Sequence, residues 1–231
     1  MVWIDGREIT WTLPDAPGRK REHDLAKRMS AGFYMDRTEV TNQDFAQFLS
    51  LGDSNAVHYD PRMDIVEIAH GNYRAKSGRE NYPVAWVDWN AAFAFAKLAG
   101  KSLPTEDEWI IAGLRGRAFR TDTIQDLWTD STQCDHLTVA HLPGPAAVGY
   151  YRQAADSTTI FDLAGNVAEW TLSEETSTAP VGKIHSWEVV KGGSFLDPPQ
   201  NMTIIGRALR DRGERLSSVG FRCILREQHG R

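Results

Sequence analysis

The segment Ile160–Trp170 restricts the possible fold more than any other part of the sequence. It reads IFDLAGNVAEW, and its Gly-Asn pair favours a turn over the interior of a helix or strand. Two acids, Asp162 and Glu169, flank this turn. Carboxylate and carbonyl oxygens around a bend that glycine permits are suited to a hard cation such as calcium. The alternative is a turn in which Asn166 binds backbone groups while both acids face water.

Composition is typical of a globular domain. The chain has 231 residues, of which 41% are hydrophobic and 25% charged, enough for one large domain or two small ones. The net charge of −5 argues against broad nucleic-acid binding, and no apolar run has the length of a membrane helix. Because Met1–Asp5 lacks a basic and then apolar leader, we expect a cytoplasmic protein, unless the chain is a domain of a longer secreted one.

Aromatic and cysteine content indicate how the core is built. Eight tryptophans favour a core made partly from irregular loops, because each supplies a large apolar area and one hydrogen-bond donor. Two cysteines are too few for a disulfide-dense scaffold. For both Cys134 and Cys223 we expect a free or buried thiol.

Capping patterns predict three helices. Thr41 and Thr105 are each followed three residues later by an acid, which is the pattern of a capping box, and Asp88 is a further N-cap. The predicted helices are Asn42–Leu51, a segment between Asp88 and Gly100, and a segment from Thr105 to Gly116.

Alternation and turn residues predict the strands. We expect a hairpin over Met1–Thr12 around Asp5-Gly6, and a strand over Gly32–Val40. The His and Asp residues between positions 53 and 81 repeat no metal-ligand spacing, so we predict a hairpin around His70-Gly71-Asn72 instead of a metal site.

Six sequence blocks occur in one order along nearly the whole chain. They are Gly32–Asn42, Tyr82–Trp89, Ala99–Trp109, Asp162–Trp170, Val190–Phe195 and Gly220–Cys223. Together they resemble the formylglycine-generating enzyme, or sulfatase-modifying factor, family. This resemblance implies an irregular α+β fold related to C-type lectins, with little regular secondary structure. No repeat or linker divides the sequence, so we predict a single domain over residues 1–231.

The resemblance also bears on the chemistry. Enzymes of this family oxidise a cysteine of a sulfatase with copper held by two cysteines that follow the Gly-Gly-Ser block. In this chain the matching positions are Asp197 and Met202. Thiolates suit Cu(I) because both are soft, and an aspartate with a thioether does not replace them. We therefore expect no copper and no formylglycine-generating activity.

The turn around Gly165 retains the pattern of a calcium site. In the family's enzymes the corresponding loop binds calcium through its first side chain, two backbone carbonyls and its final glutamate. The resemblance therefore implies one calcium ion with the ligands Asp162, Gly165, Val167 and Glu169.

The region after the Gly-Gly-Ser block is the predicted ligand-binding face. In variable binding proteins with this fold, the corresponding segment presents diverse side chains. Arginines recognise anionic groups through bidentate hydrogen bonds, although a solvated or ion-paired surface is the simpler alternative. The predicted binding residues are Asp197, Met202, Arg207, Arg210, Arg212 and Arg215. The expected partner is a protein or a small anionic ligand, not a specific nucleic acid or a membrane.

Two functional interpretations follow from these patterns. The first is a non-catalytic binding or accessory module, either on its own or as one domain of a larger protein, that acts through residues 197–215. The alternative is an enzyme of the same family that uses acids such as Asp197 or Glu214 in place of copper and thiolates. A buried carboxylate beside a hydrogen-bonding residue would favour the enzyme, and an open groove lined by arginines would favour the binding module.

Overall fold

The computed structural model describes residues 1–11, 26–113, 144–150, 160–178, 184–198, 202, 204 and 206–227. Short helices and several small sheets alternate along this part of the chain, so the predicted irregular α+β class is confirmed. The helices are α1 (Asn42–Leu49), α2 (Asp53–Ala56), α3 (Trp89–Leu98) and α4 (Glu106–Gly113). None of these helices is long and apolar enough to cross a membrane.

The strands fall into four sheets among the described residues. One contains β1 (Val2–Ile4), β4 (Phe33–Met35) and β11 (Ile224–Arg226), and two are the pairs β2 (Arg7–Trp11) with β3 (Ala26–Ser30) and β5 (Ile65–Ala69) with β6 (Asn72–Ala75). The largest contains β7 (Ala168–Thr178), β8 (Ile184–Lys191), β9 (Arg207–Arg210) and β10 (Val219–Gly220), in the order β10-β7-β8-β9.

Side-chain caps begin α1 and α4 as predicted. The Thr41 hydroxyl accepts from Asp44 N at 3.1 Å, and the Asp44 carboxylate accepts in return from Thr41 N at 3.3 Å. The same reciprocal pair joins Thr105 and Glu108, at 3.2 and 2.7 Å. Helix α1 ends at Leu49, before the predicted Leu51. The predicted continuation of the last helix from residue 114 to 116 lies outside the described residues.

Helix α3 also has the predicted boundaries. Asp88 Oδ1 accepts from Ala91 N at 2.8 Å, which satisfies one of the free amides of the first turn. Gly100, just after the helix, has a φ of +68°, a conformation that glycine adopts with little strain.

The predicted N-terminal hairpin is wrong. Strand β1 pairs antiparallel with β4, whereas β2 pairs with β3, so Asp5-Gly6 connects two sheets. The physical reason is burial: Val2 and Ile4 lie opposite Met35 and Phe33, and all four side chains are in the core. The strand predicted over Gly32–Val40 is too long, because only Phe33–Met35 form β4.

The hairpin predicted around His70-Gly71-Asn72 is confirmed by the antiparallel pairing of β5 with β6. Gly71 has a φ of +70° in its turn. The charged, Pro- and Gly-containing sequence of Pro14–Lys27 predicts a surface loop. Its last two residues instead belong to β3, and residues 14–25 lie outside the described part of the chain.

Among the described residues, buried apolar side chains form two core clusters. One lies around Phe45, Trp170 and Phe221, and the other around Phe33 and Trp109. Strand β7 starts directly after the turn at Gly165, and β8 ends directly before the Gly-Gly-Ser block. The two clusters therefore support both regions in which the sequence predicts a functional site.

Candidate functional site

The turn at Gly165 has the left-handed backbone that its sequence indicates. Asp162, Gly165 and Asn166 have φ values of +58°, +99° and +61°. Gly165 N donates to Gly192 O at 3.0 Å, and Asn166 O accepts from Phe195 N at 2.9 Å. The turn is therefore bonded directly to the Gly-Gly-Ser block.

Glu169, at the end of this turn, is engaged by a buried arginine. Arg222 donates from Nη2 to Oε1 at 2.6 Å and from Nε to Oε2 at 2.7 Å, and Trp109 Nε1 donates to Oε2 at 2.9 Å. Burial alone would lower the pKa of Arg222, but the Glu169 charge and hydrogen bonds outweigh burial and raise it. Both carboxylate oxygens of Glu169 are thus held by the chain itself.

Asp162 lies beside a second acid, Glu39, which the sequence did not single out. Asp162 Oδ2 accepts from Gly149 N at 2.5 Å, and Glu39 Oε1 accepts from Asn166 Nδ2 at 2.8 Å. Asp162 Oδ1 and Glu39 Oε2 are buried, and no described group donates to either of them. Burial and the Asp162 charge raise the pKa of Glu39, and burial raises the pKa of Asp162.

These contacts fit the predicted calcium ligands in part. Asp162 has a buried oxygen that a cation would satisfy, whereas Glu169 is paired with Arg222. Gly165 and Val167 lie in the same turn, with the Val167 side chain in the core. Among the described residues, no three His, Cys, Asp or Glu side chains form a group able to hold a metal. Calcium binding by this turn stays a prediction.

The two positions that would hold copper have other roles. Asp197 Oδ2 accepts from Ser194 N at 2.8 Å and from Ser194 Oγ at 2.7 Å, so this carboxylate closes the turn after the Gly-Gly-Ser block. Met202 is 1% exposed and lies against Gly165, where an added Cβ would be 2.9 Å from its sulfur. Met202 therefore offers no surface to a ligand in this structure, contrary to its predicted role in binding.

Cys223 belongs to the core cluster around Phe45, Trp170 and Phe221. Cys223 is a free thiol in the core, and burial raises its pKa, which keeps it in the unreactive protonated form. This arrangement agrees with the buried thiol expected from the sequence. Cys134 lies outside the described residues.

Three of the four predicted ligand-binding arginines are paired with acids of the chain. Arg207 binds Glu106 at 3.0 Å and Glu175 at 2.7 Å. Arg212 binds Glu188 from both Nε and Nη2, and Arg215 binds Asp88 at 2.8 and 2.9 Å. The ion-paired alternative therefore applies to these three side chains.

Arg210 differs from the other three. It donates to its neighbour's carbonyl, Leu209 O, at 2.9 Å, and it forms no ion pair within the described part of the chain. Of the predicted set, its guanidinium is the one that could recognise an anionic group without first leaving a carboxylate of the protein.

Two tryptophans, Trp86 and Trp89, are bonded to this segment. Trp86 N donates to Leu216 O at 2.8 Å, and Trp89 N donates to Arg212 O at 3.1 Å. The Arg62 guanidinium lies 4.2 Å from the centre of a Trp86 ring, and that of Arg212 lies 4.1 Å from Trp89. The Trp-x-x-Trp spacing in the Tyr82–Trp89 block is the signal that could have indicated this pairing.

Trp86 has a φ of +61°, which is strained for a bulky residue. Such strain persists only where the surrounding structure enforces it, and it is concentrated at functional sites. Here the hydrogen bond to Leu216 and the contact with Arg62 hold the ring beside the predicted binding segment.

A buried lysine lies beneath the same segment and was also missed. Lys191 is the last residue of β8, and its Nζ is 3.2 Å from Glu106, which also binds Arg207. Burial lowers the pKa of Lys191 to about 8, although Glu106 opposes the shift. The sequence contains one signal for this buried lysine, because Lys191 directly follows the apolar pair Val189-Val190.

Comparison with known proteins identifies the family of this chain. The family model described as "Sulfatase-modifying factor enzyme 1-like domain" matches residues 1–227. The chain belongs to this family. It is 30% identical to the formylglycine-generating enzyme of Streptomyces coelicolor, over 83% of this chain and 77% of that protein.

The chain is also similar to part of a longer protein. The chain is 26% identical to the serine/threonine-protein kinase pkn1 of Chlamydia caviae, over 96% of its length, but spans only 37% of that kinase. Among solved structures, CarF superimposes with a TM-score of 0.62 at 17% identity, covering 98% of both chains, and this likeness shows the fold.

Proposed function

We propose that this member of the sulfatase-modifying factor family is a non-catalytic binding or accessory module. The observation that carries the proposal is the pair Asp197 and Met202. One is a carboxylate bonded to Ser194 and the other is a thioether in the core, at the positions where the family's oxidases hold copper with thiolates. A module without copper retains the scaffold and its surface.

The proposed binding face is the surface of residues 207–216 together with the side chains of Arg62 and Trp86. Tryptophan and arginine dominate the binding energy of many protein interfaces. Side chains of Arg62 and Arg212 are 52% and 49% exposed, yet each is fixed by an acid and by an aromatic ring. Because such side chains lose little freedom on association, the face favours a protein partner.

Arg210 extends the proposal to an acidic group on that partner. Its guanidinium lies within the face and has no acidic partner among the described residues. A carboxylate of the partner would supply the missing bidentate acceptor, and salt would weaken this attraction. A small anionic ligand is the alternative occupant of the same position.

The enzyme interpretation has less support. A general base needs a carboxylate that can reach a substrate, but Asp197 Oδ2 already accepts two hydrogen bonds from Ser194. Glu214 is partly buried in a turn closed by its own N–H bond to Asp211 O. Neither acid has the combination of a buried carboxylate and a nearby donor that is aimed into a cleft.

The absence of oxidase activity can be measured directly. The protein is incubated with copper, oxygen and a sulfatase-type Cys-x-Pro-x-Arg peptide, and formylglycine is quantified by mass spectrometry. We expect no conversion above a control without protein, while a formylglycine-generating enzyme converts the peptide in parallel. Conversion by this chain would overturn the proposal.

Binding is tested by enrichment of partners on the immobilised protein, followed by affinity measurement for each one. We expect Trp86→Asn and Arg210→Glu each to reduce the affinity for a true partner about tenfold or more. The reason is that interface anchors contribute about 2 kcal/mol or more to binding. Arg74→Glu, an equal charge change at an exposed position of β6, is the control. A partner that both face variants bind normally would show that the face is wrongly assigned.

A further inference from the structure

Arg212 lies over an aromatic side chain that the protein holds in place. Its guanidinium is 4.1 Å from the centre of a Trp89 ring, and Trp89 is in turn stacked on Phe93 at 4.8 Å and 11°. The Trp89 indole is fixed by a hydrogen bond from its Nε1 to Thr171 O at 2.8 Å. A guanidinium on such a support loses little freedom when a partner binds to it.

Two surfaces of the Arg212 guanidinium are already used within the protein. Trp89 covers one planar face, and Glu188 Oε1 accepts from both Nε and Nη2. The side chain is nevertheless 49% exposed, and Nη1 donates to none of the described residues. The surface that remains for a partner is therefore the opposite planar face together with the Nη1 edge.

The ion pair of Arg212 limits the chemical group that this surface can take. A carboxylate of the partner would compete with Glu188, which is 2% exposed. Burial raises the pKa of Glu188, and Arg212 opposes that shift, so removal of the guanidinium from the pair would be costly. An aromatic ring requires no such exchange, because it stacks on the planar face while Glu188 keeps its hydrogen bonds.

We propose that the exposed face of Arg212 stacks on an aromatic side chain of the protein partner, beside the carboxylate that Arg210 receives. This inference rests on the proposed function, since it names a group that the same binding face recognises. Arg210 and Arg212 are two positions apart, which is at most about 7 Å along an extended chain. The matching epitope therefore presents an aromatic side chain and an acid as near neighbours.

The binding face repeats this arrangement at Arg62. Its guanidinium lies over Trp86 at 4.2 Å, Asp60 accepts from Nε and Nη2, and the side chain is 52% exposed. Nucleic-acid bases also stack on guanidinium groups, but the net charge of −5 opposes association with a polyanion. The observations therefore favour an aromatic side chain of a protein.

The test selects short displayed peptides on the immobilised protein and measures the affinity of the strongest binders by calorimetry. The peptides of interest are those that lose about tenfold or more in affinity with Arg210→Glu, because they occupy the proposed face. We expect these peptides to contain Tyr, Trp or Phe close to Asp or Glu. Arg212→Lys should reduce their affinity about fivefold, since lysine keeps the charge but not the planar surface. Arg74→Lys, the same substitution at an exposed position of β6, is the control.

A double-substitution cycle separates stacking from a change in the structure of the protein itself. Once the aromatic residue of the peptide is replaced by leucine, Arg212→Lys should no longer alter the affinity. If Arg212→Lys folds poorly, NMR of the parent gives the same information. The aromatic peptide should then shift the Arg212 Nε–H signal through its ring current, and the leucine peptide should not.

The possible failures are distinguishable. Arg210-dependent peptides that lack an aromatic residue, or that bind Arg212→Lys as tightly as the parent, would overturn this inference and leave the proposed function standing. A selection without any Arg210-dependent peptide would contradict the proposed face and this inference together. Tighter binding of a single-stranded oligonucleotide than of the peptides would assign the stack to bases and overturn the protein partner.

Discussion

The guanidinium of Arg222 binds both carboxylate oxygens of Glu169 in the interior of the protein, at 2.6 and 2.7 Å. The same guanidinium donates to Phe161 O at 2.8 Å. One side chain near the C-terminal strand thereby fixes both ends of the segment that contains the turn at Gly165.

Removal of this arginine should be strongly destabilising. We expect Arg222→Leu to lower the free energy of unfolding by about 3–5 kcal/mol, because it leaves the buried Glu169 carboxylate without its counter-charge. Urea unfolding monitored by tryptophan fluorescence gives the difference.

An exposed ion pair provides the control. Lys76 lies 3.3 Å from Asp64, and their side chains are 41% and 33% exposed. Lys76→Met should cost no more than about 1 kcal/mol, since solvent screens such pairs. Equal losses in the two variants would mean that the Arg222 pair contributes no more than a surface contact.

Gly192 should tolerate no side chain. Its φ is +91°, and an added Cβ would lie 2.8 Å from Leu163 O and 3.2 Å from the Trp109 ring. Gly192→Ala should reduce stability by about 2–4 kcal/mol, because the backbone is strained and the carbonyl cannot move without disturbing the turn.

Gly213→Ala is the matched substitution, since an added Cβ there meets no atom within 4 Å. We expect that variant to unfold within about 1 kcal/mol of the parent. Thermal and urea unfolding of both proteins measure the contrast. Similar behaviour of the two alanines would contradict the close approach of Gly192 to the turn.

Local signals explain which elements could be predicted. The caps at Thr41, Asp88 and Thr105 lie within three residues of the amides or acids that they bind, so short patterns identify them. The same holds for the turn at Gly71. By contrast, β1 pairs with a strand about thirty residues away, a partner chosen by core burial, which a local alternation pattern does not contain.

The candidate site was predicted less completely for the same reason. The sequence shows the charge of Arg207 and Arg212 but not that Glu106 and Glu188 lie within hydrogen-bonding distance of them. Glu39 contacts Asn166 across 127 positions, and no spacing rule connects them. Family blocks indicate which segments meet, whereas the partner of each charged side chain depends on packing between those segments.

Asp60 should give the protein a pH dependence in acid. Arg62 donates to it from Nε at 2.9 Å and from Nη2 at 2.7 Å, and these hydrogen bonds lower the pKa of Asp60 to about 2, although burial opposes the shift. The folded pKa is thus below the unfolded value of about 3.9. The pair of Asp60 and Arg62 therefore contributes fully to the free energy of unfolding above the unfolded pKa of about 3.9, and this contribution is lost as the pH falls through about 2.

The measurement compares Asp60→Asn with the parent between pH 2 and pH 7. The variant should be less stable at neutral pH, and the difference in free energy of unfolding should shrink as the pH falls from about 4 towards 2. Other carboxylates titrate in both proteins and cancel in this difference. Asp53→Asn, the same substitution at an exposed residue of α2, is the control. A difference between parent and Asp60→Asn that stays constant across the range would show that ionisation of Asp60 is not what stabilises the contact with Arg62.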